Sequence, residues 1–286
     1  MSTARTIRTV HTVSELREQV KAWRAAGERV ALVPTMGALH AGHVALMKAA
    51  RSHAERIVVS IFVNPTQFAP TEDLSRYPRT LEADLDKADA AGVHLAFAPD
   101  AAEMYPEGFS TTISLTGPAL GLETDFRPTH FAGVATVVAK LLLQAVPDIA
   151  MFGEKDYQQL QVVTRMARDL DIPVRIVGVP TVRESDGLAL SSRNVYLSPE
   201  DRAAAPELHR ALSGAAAAIA YGGNVLSAVD AARRTVTAAG FQLDYLEARH
   251  AETLAPVASR EQGPIRLLVA ARIGTTRLID NLAVPD

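Results

Sequence analysis

The sequence predicts an α/β fold: a Rossmann-like parallel sheet with flanking helices, followed by a smaller α+β C-terminal domain. Three observations carry this expectation. Over the first 180 residues, short apolar runs alternate with helix-period segments, the pattern of a parallel sheet whose crossovers are helices. After about residue 181 the order changes to helices followed by consecutive strand-like segments. The length of 286 residues suits about two domains. The expected division is 1–181 and 182–286.

Each element has a local reason. Ser14 is placed to cap a helix running through Leu16, Val20 and Trp23 and stopping near Gly27. Residues 29–33 form a short apolar run closed by Pro34, suited to a strand buried on both faces. Residues 43–53 carry Val44, Met47 and Ala50 at helical spacing. Residues 57–63 are rich in β-branched side chains and give the strongest strand signal. The alternation continues with a helix at 81–91, a strand at 94–98 and a helix at 133–145. A strand at 149–152, a helix at 156–170 and a strand at 174–179 complete it. Right-handed crossovers then put the strands' carboxyl ends, and the ligand crevice, on one edge. Beyond residue 181, Ser198-Pro199-Glu200-Asp201 is a helix start with a cap, a proline and early acids. Two Ala-rich helices are expected near 199–220 and 224–239, then strands at 241–248, 265–271 and 277–282.

Composition narrows the function classes. Cysteine is absent, which excludes disulfides, thiolate metal sites and cysteine nucleophiles. With 29 basic and 32 acidic residues there is no overall basic footprint for nucleic acid. No apolar run approaches the ~18 residues of a membrane span. The N-terminal stretch lacks the apolar core of a signal peptide, so a cytoplasmic protein is expected.

Three segments fall where strands end and a fourth lies between the two expected domains. Pro34-Thr35-Met36-Gly37-Ala38-Leu39-His40-Ala41-Gly42-His43 joins a buried strand to a helix. A helix N-terminus offers unpaired amide donors that attract phosphate, and His40 and His43 are spaced to face one way. A metal pair is the competing reading, but no Glu-bearing zinc-helix pattern accompanies them. Val63-Asn64-Pro65-Thr66-Gln67-Phe68 presents two amides suited to carboxylate or hydroxyl groups, though Asn-Pro is also a plain turn signal. Phe152-Gly153-Glu154-Lys155-Asp156-Tyr157-Gln158-Gln159 places Lys155 and Gln159 on one helix face; it also reads as a solvated cap. Val182-Arg183-Glu184-Ser185-Asp186-Gly187-Leu188-Ala189-Leu190-Ser191-Ser192-Arg193-Asn194 offers hydroxyls and a guanidinium to a triphosphate, and is equally a linker.

Taken together in this order, the four segments resemble the pantoate–β-alanine ligase family. Residues 127–134 and the tail Gly274-Thr275-Thr276-Arg277-Leu278-Ile279-Asp280-Asn281 fit it too. The His-x-Gly-His element alone belongs to a wider superfamily of nucleotidyltransferases and class I aminoacyl-tRNA synthetases. The resemblance implies an ATP-binding Rossmann-like domain, a C-terminal lid, Mg²⁺-ATP and a homodimer. It also implies a reaction in which pantoate and ATP give pantoyl adenylate and pyrophosphate, after which β-alanine displaces AMP. By the same resemblance, Met36 to His43, Gly153 to Asp156, Val182 and Leu190 to Arg193 bind ATP. Gln67 and Gln159 bind pantoate, with Asn64 beside them; Gln67 also binds β-alanine. His43 is the acid residue, and His40, Lys155 and Arg193 are further donors to the phosphates. Leu190 stands where many relatives have Met, an exchange of similar volume. Asp84 matches an acidic position near the metal in some members, but Ala83 replaces the acid that can precede it, so the protein's metal ligands stay open. Two other readings remain at this point: another nucleotidyltransferase of the superfamily, and a nucleotide-binding protein without turnover.

Overall fold

The structure, a computed structural model, describes residues 5–69 and 74–286; residues 1–4 of the N-terminal stretch read above lie outside it. The elements run β1 (Arg8–Val10), α1 (Val13–Ala25), β2 (Val30–Thr35), α2 (Ala41–Ala50), β3 (Arg56–Ile61), α3 (Leu81–Ala90) and β4 (Leu95–Phe97). Then come α4 (Ala101–Met104), α5 (Glu123–Phe126), α6 (His130–Ala145), β5 (Ile149–Gly153), α7 (Tyr157–Asp169) and β6 (Arg175–Val179). The chain ends with α8 (Pro199–Ala204), α9 (Glu207–Ala220), α10 (Val225–Ala238), β7 (Gln242–His250), β8 (Ile265–Ile273) and β9 (Thr276–Ala283).

The apolar runs become a parallel six-stranded sheet in the order β1-β4-β3-β2-β5-β6. Ala31, Val33, Ile57, Val59 and Met151 point to one face and meet Leu46 and Met47 of α2 and Leu85 and Ala88 of α3. Met47 is completely buried, and a side chain of that size contributes about 1.5–3 kcal/mol when fully removed from water. The chain builds outward from β2 to β3 and β4, then returns to β5 on the other side of β2. This reversal is a topological switch point, where open α/β sheets bind ligands. Its opening has a local cause. β2 pairs with β5 only at Ala31 and Leu32, and Pro34 has no N–H with which to extend that ladder.

Three local expectations are corrected. The cap of α1 is Thr12, not Ser14: Thr12 and Glu15 form a reciprocal capping box. The expected helix at 199–220 is two helices, because Pro206 has no N–H to donate into a continuing ladder. The edge strand β1, paired with β4 from Arg8 to Val10, was not anticipated.

The second unit is an antiparallel sheet in the order β7-β8-β9 against α9 and α10. Leu212, Ile219, Val229 and Val236 of the helices share one core with Leu246, Leu267 and Val269 of the strands. Contacts group Thr116–Phe126, Lys155–Gln161 and Thr181–Asp286 into this unit, and the remaining segments into the first. The grouping differs from the expected 1–181 and 182–286 division at 116–126 and 155–161. Polar contacts explain both. Glu123 receives both terminal nitrogens of Arg277, at 2.7 and 2.8 Å, and the Tyr245 hydroxyl at 2.8 Å. The Gln158 side chain accepts from the Glu123 amide and donates to the carbonyls of Pro118 and Gly121, all at 3.1 Å.

Candidate active site

In the first unit the loop after β2 is shaped by its own backbone. Gly37 and Ala38 both have positive φ, at 80° and 50°. A Cβ on Gly37 would sit 3.1 Å from Asp84 Oδ2 and 3.2 Å from Ile61 Cγ2. Asp84, wholly buried on α3, accepts the amides of Ala38 at 2.9 Å and Leu39 at 2.7 Å, and the Thr80 hydroxyl at 3.1 Å. Lys87, one turn further along α3, donates to the Leu39 carbonyl at 2.6 Å. The acidic position that sequence resemblance put near the metal is thus engaged in holding this loop. Among the described residues no three His, Cys, Asp or Glu side chains gather as metal ligands.

The loop delivers the two histidines to the start of α2, where each caps the other's turn. His40 Nδ1 accepts the Gly42 amide at 3.1 Å, and His43 Nδ1 accepts the His40 amide at 3.3 Å. The rings lie 4.2 Å apart at 48°. An Nδ1 that accepts an amide proton carries none itself, so each neutral ring holds its proton on Nε2 and presents an N–H donor. Gly42 is part of this arrangement, since a Cβ there would come 2.8 Å from His40 Cε1.

The Pro65–Gln67 turn after β3 holds the amides. Asn64 is 1% exposed and fully engaged. Its Nδ2 donates to Gln67 Oε1 at 3.0 Å and to the Gly133 carbonyl at 3.3 Å; its Oδ1 accepts from Tyr105 Oη at 2.7 Å and Thr66 Oγ1 at 3.0 Å. Asn64, expected among the pantoate-binding residues, thus has every hydrogen-bonding position of its side chain engaged within the fold. It fixes Gln67 Oε1, while Gln67 Nε2 donates to Met36 Sδ at 3.1 Å. Burial raises the Tyr105 pKa and keeps its hydroxyl a donor to Asn64. His130 of α6 contacts the Gln67 carbonyl at 3.0 Å. Gly153 and Glu154, at the carboxyl end of β5, are both half-buried.

In the second unit, Lys155 is four-fifths buried, its Nζ 3.8 Å from Asp156 Oδ2. Gln158 is tied into the fold as described, whereas Gln159 is half-buried and its amide bonds to no described side chain or backbone group. The 182–194 loop is a narrow excursion, with Leu190 donating to the Val182 carbonyl at 3.0 Å and Arg183 bridging Ala189. Its Ser191 hydroxyl caps the Ser192–Tyr196 turn by accepting the Arg193 amide at 3.2 Å; Ser192 and Arg193 are half-buried. Arg183 clamps Asp280 through two nitrogens, at 2.7 and 2.9 Å. Sequence reasoning missed Asp84, Tyr105 and Arg183 as organisers, because the 38–39 amides, Asn64 and Asp280 that they meet are tens of residues away.

A family model described as pantoate-beta-alanine ligase matches residues 8–283. The chain belongs to the pantoate–β-alanine ligase family. It is 61% identical over 282 residues to the pantothenate synthetase of Bradyrhizobium sp. (strain BTAi1 / ATCC BAA-1182), covering 98% of this chain and 100% of that one. The crystal structure of pantothenate synthetase from Thermus thermophilus superposes with a TM-score of 0.91 at 53% identity, covering 98% of this chain and 100% of that one. A pantoate-beta-alanine ligase from Francisella tularensis, solved with beta-gamma ATP and beta-alanine, gives 0.81 at 32% identity over 97% of each chain. The parallel sheet and the smaller antiparallel unit are this family's fold.

Proposed function

We propose that this ligase-family chain condenses pantoate with β-alanine at the expense of ATP, releasing AMP and pyrophosphate through a pantoyl adenylate. The observation that carries the chemistry is the His40–His43 pair at the start of α2, beside the sheet's switch point. Beta-gamma ATP and beta-alanine are the molecules with which the Francisella relative is complexed. In the first step a pantoate carboxylate oxygen bonds to the α-phosphorus, and the bond to the bridging oxygen of pyrophosphate breaks. Negative charge grows on the phosphate oxygens, which the Nε2–H donors of His40 and His43 and the amides at the start of α2 are suited to meet. In the second step the β-alanine ammonium first gives one proton to solvent or to a phosphate oxygen; the amine nitrogen then bonds to the acyl carbon, the acyl–oxygen bond to AMP breaks, and the nitrogen gives up a second proton to solvent or to the departing phosphate. No side-chain nucleophile is needed.

The remaining roles follow the family resemblance. Met36 to His43, Gly153 to Asp156, Val182 and Leu190 to Arg193 take the nucleotide, with Lys155 and Arg193 as cationic donors. Gln67 Nε2 and the Gln159 amide take pantoate. Residues 1–181 form the ATP- and pantoate-binding domain, and 182–286 the lid, which contributes Val182 and Leu190 to Arg193. Magnesium enters as part of the substrate, on the ATP phosphates; the described carboxylates form no cradle for it, and no step is routed through it. Homodimerisation and a cytoplasmic setting complete the reading.

Mass spectrometry of products decides it. Pantoate, ATP and Mg²⁺ with β-alanine should yield pantothenate and AMP. A nucleotidyl-linked product without an amide would place the chain elsewhere in the superfamily. ATP binding without any product would leave a non-catalytic protein.

A further inference from the structure

The last strand carries a motif that the reaction above leaves without a task. Asp280 and Asn281 on β9 are 4% and 2% exposed, an unusual burial for a carboxylate and an amide side by side. Asn281 Nδ2 donates to the Lys155 carbonyl at 2.8 Å. Its Oδ1 accepts from Arg266 Nε at 2.7 Å. Arg266 in turn lies over the Tyr157 ring at 4.0 Å, two residues beyond Lys155. Lys155 is thus gripped at its own carbonyl and just after it, at the 3-10 turn Glu154–Asp156 that leads into α7.

Asn281 is itself fixed. Its amide donates to Asp280 Oδ1 at 2.7 Å, and Arg183 holds Asp280 through two nitrogens while reaching the Gly187 carbonyl at 3.1 Å. A lysine ammonium is a point charge on a flexible stem. Where that charge sits depends on where its backbone is pinned. We propose that Asn281 is a positioning residue for the ligase reaction, setting the Lys155 backbone so that the ammonium meets the nucleotide phosphates. This rests on the phosphate role given to Lys155 above.

The test is a double-mutant cycle between Asn281→Asp and Lys155→Ala, read as the ATP dissociation constant by calorimetry and as the melting temperature. Asn281→Asp keeps an acceptor for Arg266 but sets a carboxylate oxygen against the Lys155 carbonyl. We expect it to weaken ATP binding about tenfold in the wild-type background, as misplacement of a positioned group does. In the Lys155→Ala background it should change binding less than about twofold, because there is no ammonium left to misplace. An equal loss in both backgrounds, or no loss in the wild type, overturns the proposal. If Lys155→Ala alone binds ATP normally, the phosphate role of Lys155 falls instead. Asn281→Ser removes the amide without adding charge and serves if the aspartate variant does not fold. Failure of both to fold overturns positioning in favour of a purely structural role.

Discussion

Replacing Gly133 with alanine tests how α6 serves the Pro65–Gln67 turn, proposed to bind pantoate. A Cβ at this position would lie 2.4 Å from the Thr66 carbonyl oxygen, 2.6 Å from its carbon and 2.7 Å from the Gln67 nitrogen. All three are backbone atoms, so no side chain can swing aside. The turn must retreat by roughly half an ångström or more to restore van der Waals spacing. Two effects compete. Alanine is a better helix former than glycine by about 1 kcal/mol. Overpacking against an ordered backbone costs about 1–3 kcal/mol. The net change in stability is small or modestly negative, but the geometric change falls on Gln67, whose amide is aimed by Asn64 and whose carbonyl is held by His130. A displacement of that order at a positioned group lowers turnover by about 10- to 100-fold. Steady-state kinetics should show a raised KM for pantoate with the KM for ATP nearly unchanged, alongside a melting temperature within a few degrees of wild type. A raised melting temperature with an unchanged pantoate KM would refute the reasoning, since only helix propensity would then be at work.

Gly42→Ala adds a Cβ 2.8 Å from His40 Cε1, so the ring must rotate away from the Gly42 amide; adenylation should fall about tenfold while the fold holds, and full activity would contradict the mutual-cap geometry. Asp84→Ala strands the amides of Ala38 and Leu39 and should cost about 1–3 kcal/mol in chemical denaturation, with the KM for ATP rising more than that for pantoate. His94 is held below the ordinary histidine pKa, first by burial and then by the Arg56 charge, and its Nδ1 accepts the Ile57 amide at 3.1 Å. Because the unfolded chain takes up that proton first, the neutral ring's contribution is complete above about pH 6.5 and is lost as the pH falls through the lower folded value. His94→Asn keeps an acceptor without the titration, so its melting temperature should fall less than the wild type's on acidification; parallel slopes would argue against this.

The sheet was legible because its central strands β2 to β5 are buried along most of their length. Runs such as Ile57-Val58-Val59 have one physical explanation, and the turns between them fall where the motifs stand. β1 was not legible: Arg8-Thr9-Val10 is too short for a periodicity and gains its partner, β4, from some 85 residues away. The same distance hides the grouping of 116–126 with the C-terminal sheet, which depends on Glu123 meeting Arg277. Within the site, residue types were readable and roles less so. His40 and His43 were placed at a helix start by spacing, but their reciprocal capping is a matter of rotamers. Nothing in Asn-Pro-Thr-Gln discloses Tyr105 and Gly133, which engage the Asn64 amide.

In the proposed reaction an adenylate forms before the amine reacts. The measurement that bears on it most directly is isotope exchange: labelled pyrophosphate, ATP, Mg²⁺ and pantoate, with β-alanine left out. Label should pass into ATP at a rate that depends on pantoate and is lowered about 10²–10³-fold by His43→Ala, the usual effect of losing one transition-state donor. Pantothenate formation by an enzyme that shows no such exchange would contradict the account, because the phosphorus bond would then break only with the amine in place.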